Sequence, residues 1–356
     1  MVPVTPDLLT HNDGAAVTGA TWPLRRRELY DAIVPHEYGR LPPPGTGTEA
    51  LLLGSQTLRD SGVRHQVYEV RTVFAEGGEH SFPLRLWLPP GDGPFPVVLN
   101  GDGCWRYFDD AMVSQVVRRG YAAASFDRTW TAADNRSLYR RTGLYRLFPE
   151  APFGALAAWA WAYHRCVDAL TELAPLCADQ VAITGHSRGG KAVLLAGATD
   201  DRVALVNPND SGIGGSGLNR WKAAGAEVVD DFIRVGSIFW FGPAWAEYQH
   251  RDRALPYDQH FLHALVAPRA LLVNEAYGDP GANPPGSYAA CQAALRVYDL
   301  LSAGEQLGWA VRDGVHGHQP EDFAALLDFA DWRFRGVRCA RSFQRQAFVD
   351  LGSLLG

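Results

Sequence analysis

Apolar and polar residues alternate at about period two in Val67-Tyr68-Glu69-Val70-Arg71-Thr72-Val73 and again in Pro83-Leu84-Arg85-Leu86-Trp87-Leu88, with Gly77-Gly78 between them. Period two sends successive side chains to opposite faces, so this stretch predicts an antiparallel hairpin with one face buried. After the loop from Pro89 to Pro94 the pattern changes. Pro96–Asn100, Tyr121–Phe126, Val181–Thr184, Val203–Val206, Arg269–Asn274 and Trp309–Val311 are short apolar runs, the signature of strands covered on both faces. Helical spacing separates most of them, over Asp109–Arg119, Phe153–Leu173, Lys191–Ala198 and Tyr288–Ser302, and follows the last over Phe323–Phe334. Upstream, residues 1–21 are polar and rich in Gly and Thr, which predicts an extended arm. Trp22–Val34 has helical spacing, and its Arg25-Arg26-Arg27 triplet reads as a solvated helix face. Residues 212–260 mix glycines, aromatics and charges with little strand signal and read as a cap-like insertion. The order predicts one α/β domain over 1–356, with residues 1–60 as N-terminal arm and helix. Its core is a mostly parallel central sheet sandwiched by helices, preceded by antiparallel strands.

One junction carries chemistry. The strand Val181-Ala182-Ile183-Thr184 runs into Gly185-His186-Ser187-Arg188-Gly189, and the helical pattern starts at Lys191. Strand, sharp turn with a serine at its tip, then helix is the context of the G-x-S-x-G nucleophile elbow of the α/β-hydrolase fold. Gly185 and Gly189 are expected where strand and helix backbones approach too closely for side chains. The serine is expected at the positive end of the helix dipole.

Composition narrows the function without choosing it. Net charge is −6 with no basic run, so neither nucleic acid nor a membrane surface is indicated as a partner. The five cysteines have no ligand or disulfide spacing, so no metal and no disulfide framework is expected, and buried reduced thiols are the plainer reading. No leader pattern precedes the arm, which gives a cytoplasmic protein as the expectation and a secreted one if a leader has been trimmed. Only two lysines occur, Lys191 and Lys222, so a lysine four residues after the serine stands out.

A serine hydroxyl needs a base, and the base needs an acid. In this fold the order is serine, acid, histidine, with the histidine after the last strand. His316 and His318 both lie there, and position does not choose between them. Asp210 and Asp279 follow successive strands and share the acid role, each also a plausible turn former. The Arg188 N–H is the expected oxyanion donor, its guanidinium a second, and the Asn100–Trp105 loop is glycine-rich enough to bring another N–H near. Lys191 reads equally as a substrate contact or a solvated helix lysine.

Ser187-Arg188-Gly189-Gly190-Lys191 extends the elbow to G-x-S-R-x-G-K and resembles the glucuronoyl esterases of carbohydrate esterase family 15. The likeness continues in Trp22…Arg25-Arg26…Tyr38-Gly39-Arg40, in the Gly154–Trp161 helix, in Asp210-Ser211-Gly212-Ile213-Gly214-Gly215, in Leu255–His260 and in Ala267-Pro268-Arg269. It implies Ser187 as nucleophile, His318 as base, Arg188 in the oxyanion site and Lys191 on sugar hydroxyls. It also tips the acid slightly towards Asp210. The sequence departs from the family where Pro280 and Gly281 replace a uronate-contacting tryptophan after the aspartate at 279. Val229 and Ser237 stand where fungal members carry sugar-contacting Gln and Glu. Glu227, Trp240 and Trp105 are the candidate substitutes, against a plainer reading as cap packing. The expected function is hydrolysis of a carbohydrate ester, that of glucuronic acid first, without a cofactor. The competing readings are an esterase or lactonase for a small metabolite, and a catalytically silent binding protein. Oligomeric state is not encoded in any pattern found here.

Overall fold

In the computed structural model, which describes residues 6–105 and 108–354, nine strands form one sheet. They are β1 Gly47–Thr57, β2 Arg64–Val73, β3 Glu79–Leu88, β4 Phe95–Asn100, β5 Ala122–Phe126, β6 Leu176–His186, β7 Leu205–Asn209, β8 Ala270–Ala276 and β9 Leu307–Arg312. Their order is β1-β2-β3-β5-β4-β6-β7-β8-β9. The pairs β1·β2, β2·β3 and β3·β5 are antiparallel and every later pair is parallel, as the change of period predicts. This α/β-hydrolase arrangement brings the carboxyl ends of β4, β6, β7, β8 and β9 to one rim, where open α/β sheets hold their ligands.

The strands divide the core by alternation. Val97, Leu99, Ile183, Val206 and Val273 face one way, packing with buried residues of α3 (Ala155–Thr171), α4 (Arg188–Thr199), α6 (His260–Val266) and α7 (Pro284–Leu300). Val98, Ala182, Leu205 and Leu272 face the other way, against α2 (Asp110–Arg118) and α8 (Pro320–Arg335). Apolar runs were therefore the right sign of strands buried on both faces.

Four expectations need correction. The arm is not merely extended: Leu8 and Val17 are buried in the core. Arg25, on α1 (Trp22–Ile33), is not solvated; it is 5% exposed and donates to the Leu8 and Asp7 carbonyls and to Asn12 and Glu28. Arg26 bonds the Leu265 carbonyl and Asp201, so only Arg27 fits the solvated reading. Strand β1 had no sequence signal, because Leu51-Leu52-Leu53 breaks alternation and most of the strand is exposed on both faces. Of the five cysteines, all unpaired, only Cys166 and Cys291 are buried, and Cys339 is exposed.

Residues 212–260 hold one short helix, α5 (Val229–Val235), and three 3₁₀ turns. Phe232, Trp240, Phe241 and Trp245 cluster within it, with Phe241 stacked on Trp245 at 3.6 Å.

Candidate active site

Ser187 sits between β6 and α4 with φ 56° and ψ −122°, a left-handed backbone that a side chain tolerates at a cost. Its N–H is tied to the Asn209 carbonyl at 2.9 Å. Gly185 is required as expected, since a Cβ there would lie 2.8 Å from the Gly189 carbonyl oxygen. Gly189 is required for a different reason: its Cβ would strike the Asp102 carboxylate. Asp102 is fully buried, accepts from the His186 N–H at 2.7 Å and pairs with the buried Arg128.

A cavity of about 220 Å³ opens at the serine, walled by Ser187, Lys191, Asp210, Ser211, Glu227, Asp279 and His316 among others. Larger grooves of about 700 and 870 Å³ lie elsewhere, but neither has the serine on its wall, so the chemistry decides for the small one.

His316 is the histidine in that cavity. Its Nδ1 lies 2.6 Å from Asp279 Oδ2, which assigns the proton to Nδ1 and leaves Nε2 as the basic nitrogen. The hydrogen bond to the carboxylate raises the His316 pKa above the ordinary imidazole value, against the opposing effect of burial. Asp279 is 7% exposed and also caps the turn Pro280–Ala282.

His318 points the other way. It is 4% exposed and stacks on Phe323 at 4.3 Å, and neither ring nitrogen has a hydrogen-bond partner among the described residues. Burial holds its pKa well below the usual value. The expectation of His318 as base is thus corrected: it is a neutral core histidine in this geometry. Between the two rings stands His186, 4.3 Å from His316 and 5.9 Å from His318 by centroid.

The preference for Asp210 is corrected as well. Asp210 reaches not a histidine but Arg312 at 3.1 Å and the Gly317 N–H at 3.2 Å. Burial first, and the neighbouring Asp322 second, raise its pKa. Asp210, Asp279 and His316 place ligand-type atoms within 4.8 Å of one another, the geometry of a possible metal cluster. Two of those residues are already engaged with each other and the third with a guanidinium, an arrangement suited to proton transfer.

Arg188 is held across the elbow. Its guanidinium bonds Asp134 at 2.9 Å and lies over Trp240 at 4.3 Å and Trp105 at 5.1 Å; the Trp240 Nε1–H donates to the same Asp134. Trp240 and Trp105 therefore cradle an arginine and do not line the cavity, whereas Glu227 does. Lys191 is 3% exposed, and Nζ donates to the Ser211 and Ile213 carbonyls with Glu227 3.9 Å away. The solvated reading fails for it; burial lowers its pKa. Four N–H groups of the glycine-rich loop after β4 are not free for an oxyanion. The N–H groups of Gly101, Asp102, Gly103 and Trp105 all have acceptors within the fold. Asp134, Asp102, Arg128 and Arg312 had no motif to mark them; Arg128 lies two residues past β5 and Arg312 ends β9, positions that would have been a usable signal.

Residues 72–302 match the family described as glucuronyl esterase, fungi. A 4-O-methyl-glucuronoyl methylesterase of Podospora anserina is 32% identical over 314 residues, 84% of this chain and 60% of that protein. Another, from Wolfiporia cocos, is 32% identical over 88% of this chain and 76% of its own length. The chain thus spans less than two thirds of the Podospora protein. A solved carbohydrate esterase family 15 glucuronoyl esterase from Caldicellulosiruptor kristjansonii superposes with a TM-score of 0.86 at 31% identity, over 99% of this chain and 96% of that one. One from Teredinibacter turnerae gives 0.80 at 27% identity, over 92% and 89%. The cytoplasmic expectation is corrected by these relatives, because the fungal enzymes are secreted and a cytoplasmic location has no support.

Proposed function

The chain belongs to the glucuronoyl esterases of carbohydrate esterase family 15, and from that premise we propose that it hydrolyses esters of glucuronic acid or its 4-O-methyl ether through Ser187, His316 and Asp279. The observation that supports this reading most is the 2.6 Å Asp279–His316 contact on the wall of the cavity that opens at the strained serine.

His316 Nε2 takes the Ser187 proton as Oγ attacks the ester carbonyl, and Asp279 stabilises the imidazolium that forms. The oxyanion develops beside the first turn of α4, where N–H groups lack intrahelical acceptors and the dipole is positive. Arg188 contributes its N–H there, and its guanidinium adds positive charge. The alcohol departs with the proton from His316, and water, activated by the same nitrogen, then releases the uronate from the serine. Lys191 and Glu227 supply a donor and an acceptor on the cavity wall for sugar hydroxyls. No uronate-contacting tryptophan follows Asp279, so Glu227 carries more of the sugar recognition in this reading.

The test is turnover of methyl or benzyl glucuronate beside a simple aryl acetate, with Ser187→Ala as control. Preferential uronate turnover, lost in the variant, is expected. Acetate turnover alone would keep the triad and reject the substrate. Silence on both esters, with no labelling by a serine-directed phosphonate, would favour the binding-protein alternative.

A further inference from the structure

His316 lies on the loop between β9 and α8, and a loop tip is a poor place for a group that must be held within a fraction of an ångström. The last residue of β9 is Arg312, whose side chain is 13% exposed. It turns back under that loop and uses all five of its N–H donors. Nε donates to Asp322 Oδ2 at 2.9 Å. Nη1 donates to the carbonyls of Asp313 at 3.2 Å and Val315 at 3.1 Å. Nη2 donates to the Gly317 carbonyl at 2.5 Å and to Asp210 Oδ2 at 3.1 Å.

The carbonyls of Val315 and Gly317, the two residues flanking His316, are therefore gripped by one planar group. The two carboxylates that grip the guanidinium also hold the loop from outside. Asp210 Oδ2 accepts the Gly317 N–H at 3.2 Å, and Asp322 Oδ2 accepts the Gln319 N–H at 2.8 Å. Asp322 is the third residue of α8, so the clamp joins the loop to a packed helix; Asp210 joins it to the end of β7. Without this clamp, backbone carbonyls in a half-buried loop would have to find water, and the His316 ring could rotate away from Asp279.

We propose that Arg312, braced by Asp210 and Asp322, is a positioning residue that fixes the His316 loop in register with Ser187 and Asp279. The inference rests on the assignment of His316 as the base. It also gives Asp210, the second buried aspartate at this site, a function other than that of triad acid. The geometry demands a guanidinium: five acceptors arranged around a plane cannot be served by an ammonium with three donors on a differently shaped stem.

The experiment is Arg312→Lys in the full chain, read by kcat and KM on a uronate ester, by the rate of serine phosphonylation, and by thermal melting. Expected is a roughly 10- to 100-fold fall in kcat, the size of effect that small misplacement of a catalytic group produces. KM should stay within about threefold, and phosphonylation should slow by the same factor as kcat, because both reactions need the base in place. The proposal is overturned if kcat stays within about twofold of the parent, if the loss falls in KM, or if it equals the unfolded fraction. Should Arg312→Lys not fold, Asp322→Asn decides by the same split, since it weakens the clamp at the end remote from the cavity. His316→Ala separates the two readings. An active His316→Ala variant would reject the base assignment itself, whereas an inert one beside a normal clamp variant rejects only the clamp.

Discussion

At the scale of single residues, two histidines two positions apart have opposite fates. One turns to an aspartate and the cavity, the other to Phe323 and the core. His316→Ala is expected to lower kcat by about 10³-fold or more, and His318→Leu, which fills a buried apolar site, by less than about tenfold. Kinetics on the two purified variants would check this, and equal losses would contradict it. Asp279→Asn should lower kcat and also move the acid limb of the pH–rate profile. The carboxylate raises the His316 pKa, so the neutral base appears only at a higher pH; removing it shifts the limb to lower pH. Asp210→Asn should move that limb in the same direction but less, because its carboxylate is a lesser cause of the same rise. Ser187→Gly should abolish turnover yet raise stability by about 1 kcal/mol, because glycine occupies φ 56° without strain. The nucleophile was legible in the sequence because its requirement is local: two glycines, a strand and a helix. The base and acid were legible only as pairs of candidates. Which histidine faces the serine depends on how Arg312 folds the loop beneath it, and no spacing records that.

At the scale of elements, the buried strands and their helices were readable because period and apolar runs report burial directly. What sequence missed is held by contacts of another kind. The N-terminal arm is fastened by Arg25, whose guanidinium joins two backbone carbonyls and two side chains 12 or more residues away or on the next turn of its own helix. Arg25→Ala leaves those groups unpaired beside a partly open core and is expected to cost roughly 2–4 kcal/mol. Chemical denaturation would measure it, and a cost below about 0.5 kcal/mol would restore the solvated-face reading. Strand β1 escaped notice for the opposite reason: with both faces largely exposed it needs no alternation, and its pairing with β2 supplies what its side chains do not.

At the scale of the whole molecule, buried ionisable groups set how stability depends on pH. Burial raises Glu37 to about 8 and Asp258 to about 6, and lowers His80 and His260 to about 4 and His186 and His263 to about 3. A carboxyl with a raised folded pKa binds a proton that the unfolded chain has lost, so its contribution falls as pH rises from its ordinary value to the folded one. A histidine with a lowered folded pKa loses stability as pH falls through the ordinary imidazole range. Below about pH 6.5 the two sets oppose each other; above it these histidines and Asp258 are silent and Glu37 remains. Melting temperature is therefore expected to decline from pH 6.5 to 8.5. Glu37→Gln, which keeps an acceptor for Gln259, should flatten the decline, and an unchanged slope would exclude Glu37 as its source.

Lys191 lies buried behind the serine, and Lys222, the other lysine, is paired with Asp252. Lysine-directed reagents thus have almost no address on this surface. Aldehyde cross-linking and amine coupling to a solid support, which fasten ordinary proteins through many exposed ammonium groups, would find little here to join. A reagent forced to react would meet Lys222, whose side chain is 18% exposed, before Lys191, whose side chain is 4% exposed. Immobilising such a chain by that chemistry would require new lysines placed away from the rim where the strands end.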